Sequence, residues 1–253
     1  MAHSISTRWI LLAAGLALAA PAHAIDWNEM LRGVLGKPAT EPAASGVDAL
    51  STADINAGLK EALTRGAETA VAQLGQKDGF FGNTALKIPL PPSLQKADKA
   101  MRLLGMGKQA DALVLSMNRA AEAAVPEART LLVDAVKAMT LEDARGILTG
   151  GQTSATDFFR RKTEAQLTER FAPIVKATTD QAGLAQQYNQ YAGAAAQFNL
   201  IDKKQASIEQ YVTQQALDRL YTVIGEKESA IRANPMQAGS DLLKKVFGAV
   251  SGK

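Results

Sequence analysis

Met117–Thr163 reads MNRAAEAAVPEARTLLVDAVKAMTLEDARGILTGGQTSATDFFRRKT, and its punctuation decides the fold. Pro126 suits a first helical position, where the missing N–H would have had no partner, and Glu127 beside it complements the positive end of the helix dipole. Leu131, Leu132, Ala135, Val136 and Met139 then recur as one apolar face. Thr140 with Asp143 predicts the next helix start, which runs to a stop at Gly150-Gly151. Ser154 with Asp157 predicts another, over ATDFFRRKTEAQLTERFAPIV. The connections are short, so these helices are expected to fold back on one another.

Upstream the same grammar holds. Lys108–Ala124 offers Ala112, Leu113, Leu115, Met117, Ala120 and Ala124 for burial, and Ser93 is expected to cap a helix ended by Gly105 and Gly107. Before it, Gln76–Pro92 (QKDGFFGNTALKIPLPP) has no helical period; Leu86–Leu90 could pair as a short strand only at an edge, because of Pro89. Leu50 opens the domain, with Ser51 as cap. Ile55, Leu59, Leu63, Ala67, Ala70, Val71 and Leu74 then line one face of a helix of about six turns. Downstream, Pro173 predicts a kink or restart, Asp202 a cap, Gly225 an interruption, and MQAGSDLLKKVFGAV a last helix. The sum is an all-α fold, a single irregular multi-helix bundle of about nine helices over 50–250 with one long Gly/Pro-rich loop.

Ahead of that domain the composition changes twice. Residues 37–49 read as a flexible linker and Ile25–Gly36 as a short amphipathic helix, docked on its own domain rather than on a partner. Arg8, the apolar run Trp9–Ala20, and Ala22-His23-Ala24 make a secretory signal, so cleavage is expected after Ala24 and the mature chain is expected in the periplasm. The run is too short to span a bilayer, which needs about 20 residues, and no transmembrane segment is expected in the mature chain.

Removing residues 1–24 leaves 229 residues with 27 Lys and Arg against 25 Asp and Glu, and with neither histidine nor cysteine. Serine–histidine and cysteine–histidine catalysis are closed, as are the usual zinc sites and disulfides. No metal or other cofactor is expected, and the near-balanced charge gives no nucleic-acid signature. The remaining candidates are Asn118, Arg119, Glu122, Asp143, Asp157, Arg160 and Arg161. Asn118 and Glu122 share a helix face, and Glu122 is expected to meet the Asp143–Arg161 segment across the bundle. A network that fixes helix register is the favoured reading; a ligand pocket comes second. No residue is assigned a catalytic role. Phe80 and Phe81, bracketed by glycines, either pin the loop by burial, the favoured reading, or form an exposed tip that touches a membrane or partner.

MNRAAEAAVPEA, AMTLEDARGILTGGQTSATDFFRRKT, LTERFAPIV, EKESAIRANP and LLKKVFG, with LKIPLPPSL, resemble the motifs of a bacterial family catalogued as domain of unknown function 4197. The resemblance covers Leu50–Gly248 and implies an exported, mostly helical protein, often lipidated, with no assigned activity. This chain lacks the lipid-accepting cysteine. The expectation is a non-catalytic envelope domain that binds an envelope protein or small ligand between helices. The alternative is a carboxylate-dependent hydrolase acting on an envelope polymer.

Overall fold

A computed structural model describes residues 52–103, 107–181, 183, 185–189 and 207–234. Expectations for the signal, the 25–36 helix, the linker, Ser51, Asp202 and the 236–250 helix lie outside those residues. Seven α-helices and no strand occur among the described residues. They are α1 (Thr52–Gly75), α2 (Pro92–Leu103), α3 (Gly107–Ala124), α4 (Ala128–Lys137), α5 (Leu141–Thr149), α6 (Ser154–Asp180) and α7 (Ile208–Ala233), with a 3-10 turn Val125–Glu127 joining α3 to α4. Residues 185–189 are also helical.

Helix α6 is the hub: it packs against α7, α3, α4 and α5, while α1 packs against α4 and α7. Phe158 and Phe159 begin its buried line, and Thr163, Leu167, Phe171 and Val175 continue it from Phe159 in four-residue steps, so one stripe faces inward. Phe158 and Phe159 meet edge to face with ring centroids 5.7 Å apart. Helix α3 supplies small residues against this bulk, since Ala120, Ala121 and Ala124 are fully buried. Helix α7 supplies Val212, Leu217, Leu220, Tyr221 and Ile224.

The helix starts follow two different rules. Thr140 and Asp143 form the expected capping box on α5: the Thr140 hydroxyl accepts from the Asp143 N–H at 3.1 Å, and the Asp143 carboxylate accepts from the Thr140 N–H at 3.1 Å. Ser93 does not cap α2. The helix begins at Pro92, and the Pro91 carbonyl takes the Leu94 and Gln95 N–H groups. Ser154 does not cap α6 either; it is the first helical residue after Thr153, and its hydroxyl donates back towards the Ile147 and Gly151 carbonyls. Ser207 caps α7 through the Gln210 N–H.

Two expected breaks do not occur. Helix α6 runs through Pro173, which is exposed; the carbonyl four residues back, which loses its N–H partner, belongs to exposed Glu169 and so faces the solvent side rather than the core. Helix α7 runs through Gly225, whose value is spatial: a Cβ there would sit 3.4 Å from the Thr156 Oγ1. The glycine lets α7 lie close to the start of α6. Leu86–Leu90 is extended with alternating burial, yet no second strand joins it among the described residues.

Candidate functional site

The sequence candidates separate into three groups. The first clasps the long loop to α3. Asn118 is fully buried, and its side-chain amide accepts the Ile88 N–H at 2.8 Å while donating to the Ile88 carbonyl at 2.9 Å. One amide thus replaces a neighbouring strand, which is why an extended segment survives alone. One turn on, Glu122 Oε1 accepts the Phe80 and Phe81 N–H groups, both at 3.1 Å, and Oε2 accepts from Arg119. Arg119 reaches on to Asp78 at 2.7 Å, a non-glycine residue held at φ 67°. Glu122, then Asp78, raise the Arg119 guanidinium's hold on its proton above the ordinary value.

Phe80 is fully buried, so it presents no exposed tip. Phe81 is half-buried, with the Lys87 ammonium 4.1 Å from its ring centroid and the Arg119 guanidinium 5.6 Å away. Gly79 is required by the tightness of this turn, since a Cβ there would lie 2.5 Å from the Leu74 carbonyl oxygen. Three more of the loop's carbonyls go to side chains that the sequence reading did not single out as site residues. Arg219 donates to Lys87, Tyr211 to Pro89 and Gln95 to Leu90, at 3.2, 3.2 and 3.1 Å. Burial weakens the Arg219 guanidinium's hold on its proton and raises the Tyr211 phenol.

Arg160 forms the second group by itself. Adjacent residues diverge by about 100° on a helix, so Arg160 turns to α7 while Arg161 turns away. Arg160 pairs with Asp218 at 3.1 Å and Glu164 at 3.4 Å, and lies 4.5 Å over the Tyr221 ring. Beneath it the Tyr221 and Thr163 hydroxyls are 2.9 Å apart, and burial pushes the phenol up to about 12.

Asp143, Asp157 and Arg161 make the third group. With Thr140, Glu142, Gly146, Ile147 and Ser154 they line an open polar cleft of about 320 Å³ between α5 and α6. The Thr140 N–H and hydroxyl, then Lys162 and Arg161, hold the Asp143 carboxyl below its ordinary range. The Lys162 ammonium lies 4.0 Å from Asp143. Among the described residues Asp157 accepts only from the Thr153 hydroxyl, at 3.2 Å. The expected meeting of Glu122 with this segment does not form, because both Glu122 oxygens are committed to the 76–83 turn and Arg119. An apolar recess among α1, α5, α6 and α7 holds about 30 Å³, room for roughly one water.

Sequence reasoning also missed Glu228. Its side chain is 6% exposed and caps α6 from α7, accepting the Ala155 and Thr156 N–H groups at 3.0 and 2.9 Å and the Thr156 hydroxyl at 2.8 Å. Arg232 donates to the same carboxylate at 2.8 Å and to Ser154 Oγ at 2.7 Å. The glycine-led start of α6 resembles an anion cradle; an internal carboxylate already fills it. The signal was present: Tyr221, Ile224, Glu228 and Ile231 keep helical step, so a charge sits on an apolar stripe. Asn189 and Glu209 repeat the device, with the Asn189 carbonyl oxygen on the Ile208 N–H at 2.6 Å and its amide on Glu209.

A family model described as Protein of unknown function (DUF4197) matches residues 49–248. No curated protein and no solved structure gives a match.

Proposed function

The chain belongs to the family of proteins of unknown function DUF4197, and since that membership brings no activity with it, we propose from the residues that this is an exported, non-catalytic envelope domain that binds a partner or small ligand in the α5–α6 cleft. One observation carries the reading. Glu142, Asp157 and Arg161 line one open cleft beside the capping-box residue Asp143, and neither the Glu142 nor the Asp157 carboxylate accepts a backbone N–H from another described residue, whereas Asn118, Glu122, Glu209 and Glu228 are spent on backbone N–H groups, amides and arginines. Export to the periplasm is supported by Arg8, the apolar run after it and the Ala22-His23-Ala24 pattern. No described helix is long and apolar enough to cross a membrane.

The hydrolase alternative has less support. It requires a carboxylic acid that keeps its proton near neutral pH. In the cleft, Asp143 is held the other way, below its ordinary range, by the Thr140 N–H and hydroxyl. The test is native mass spectrometry of the mature protein purified from periplasm, beside an Arg161→Ala variant. The expected result is a bound species on the parent protein that the variant loses. A parent protein that carries nothing, or a variant that keeps its cargo, sinks the cleft reading.

A further inference from the structure

We propose, resting on the cleft reading above, that the occupant of the α5–α6 cleft is a peptide segment of a partner protein bearing a Lys or Arg side chain, seated on a floor made by Gly146. One glycine of the cleft has no contact inside the fold that requires it. Gly146 lies inside α5 (Leu141–Thr149) and lines the cleft. Its backbone is outside the left-handed region, and a Cβ placed there would meet nothing within 4 Å. Gly79 and Gly225 have internal reasons for their size; Gly146 has none. A glycine in a helix interior is a standing loss against alanine. The missing methyl at this exposed position leaves the α5 backbone open to something that approaches it from outside.

The cleft's surroundings state the chemistry of that visitor. Leu141, which begins α5 between cleft residues Thr140 and Glu142, is 60% exposed and offers an apolar contact. Glu142 makes no hydrogen bond or ion pair with another described residue, and Asp157 has only the Thr153 hydroxyl. Asp143 is held by its cap and by Lys162 4.0 Å away, so Glu142 and Asp157 face the one lining guanidinium, and that excess of negative charge favours a cationic side chain. Arg161 makes no ion pair among the described residues, which leaves its fork of N–H groups for a peptide carbonyl. A backbone lying on Gly146, a carbonyl on Arg161 and a cation between Glu142 and Asp157 describe a basic peptide segment.

The experiment uses the isotope-labelled mature chain and three probes: acetyl-Gly-Lys-Gly-Lys-Gly amide, its glutamate counterpart, and spermidine. Amide shift changes at Glu142, Gly146 and Asp157 are expected with the lysine peptide alone. Gly146→Ala is expected to weaken that binding at least tenfold while raising Tm by about 2 °C, because it removes backbone freedom without a clash. Equal binding of the glutamate peptide or of spermidine overturns the basic-peptide occupant and leaves the cleft reading standing. Silence from all three probes overturns it too; whether the cleft reading falls with it is decided by the Arg161→Ala mass spectrum. Unchanged affinity in Gly146→Ala, or a lowered Tm, overturns the glycine floor.

Discussion

Replacing Glu228 with alanine removes the acceptor that the Ala155 and Thr156 N–H groups share at the start of α6. The carboxylate takes five donors: two backbone N–H groups, the Thr156 hydroxyl, and Arg232 through Nε and Nη2. Both partners are withdrawn from water, with side-chain exposures of 6% for Glu228 and 18% for Arg232. Breaking a buried pair from one side costs about 3–5 kcal/mol, because the surviving charge loses its compensation. Loss of an N-cap alone costs about 1 kcal/mol. The two overlap, and Arg232 keeps the Ile147 carbonyl and Ser154 Oγ, so the net expectation is about 4 kcal/mol. For a domain of this size each kcal/mol moves Tm by about 2–4 °C, which gives a fall of about 12 °C.

Four readouts check this. Thermal and urea melts followed by helical circular dichroism give the total. Native-state hydrogen exchange should accelerate first at Ala155 and Thr156, before α7 itself opens. A double-mutant cycle with Arg232→Ala should show a coupling of about 1–3 kcal/mol, since removing both partners leaves no orphaned charge. Added acetate should restore part of the loss, about 1.4 kcal/mol at 100 mM for a Kd near 10 mM, because it refills the vacated donors. A Tm fall below about 2 °C, or strictly additive single variants with unchanged exchange at Ala155 and Thr156, would refute the internal-cap account.

Three further outcomes follow from the same geometry. Asn118→Ala strands the Ile88 N–H and C=O in the core, at about 1–3 kcal/mol each, so urea melts should show a loss near 3 kcal/mol and exchange should rise at Ile88; a loss under about 1 kcal/mol refutes the surrogate-strand role. Asp143 titrates lower folded than unfolded, so its contribution is complete above about pH 4 and disappears as pH falls through its folded value. The stability gap between the parent protein and Asp143→Asn should therefore be present at pH 6 and shrink at pH 3, and a gap that grows on acidification contradicts the capping box. Tyr221 holds its proton to about 12, so stability should decline as pH rises from about 10, where unfolded tyrosine ionises. Tyr221→Phe should flatten that alkaline limb, and an unchanged limb assigns it to other groups.

What the sequence made legible was whatever follows from local periodicity. The stripe on α1, the capping box at Thr140 and the stop at Gly150 were readable because each is decided within four residues. Pro173 and Gly225 misled for one reason: local rules predict a break, but tertiary packing holds a helix through a proline on its solvent side and a glycine at a close approach. The site was half legible. Asn118, Arg119 and Glu122 were recognised as polar groups on a buried face, but their targets, Ile88, Phe80 and Phe81, lie 30 to 42 residues away. Periodicity carries no information about such partners. Phe80 was left open between burial and display for the same reason.

These long-range polar bonds share a role that composition helps to explain. The chain has no cysteine and so cannot staple its loops covalently. Four irregular junctions instead receive a side-chain acceptor from a helix: Glu122 at the 76–83 turn, Asn118 at the extended segment, Glu228 at the start of α6, and Asn189 at the start of α7. An apolar residue could fill each position but could not accept an N–H, and every unmet buried donor would cost about 1–3 kcal/mol. Dispersion alone would also tolerate a helix slid by one turn; a side chain bonded to a named backbone group does not. The polar groups inside this bundle thus fix its register, and among the charges left without such duty Glu142, Asp157 and Arg161 line one cleft. That division of labour is the reason to look for binding there rather than in the buried network that the sequence first brings to notice.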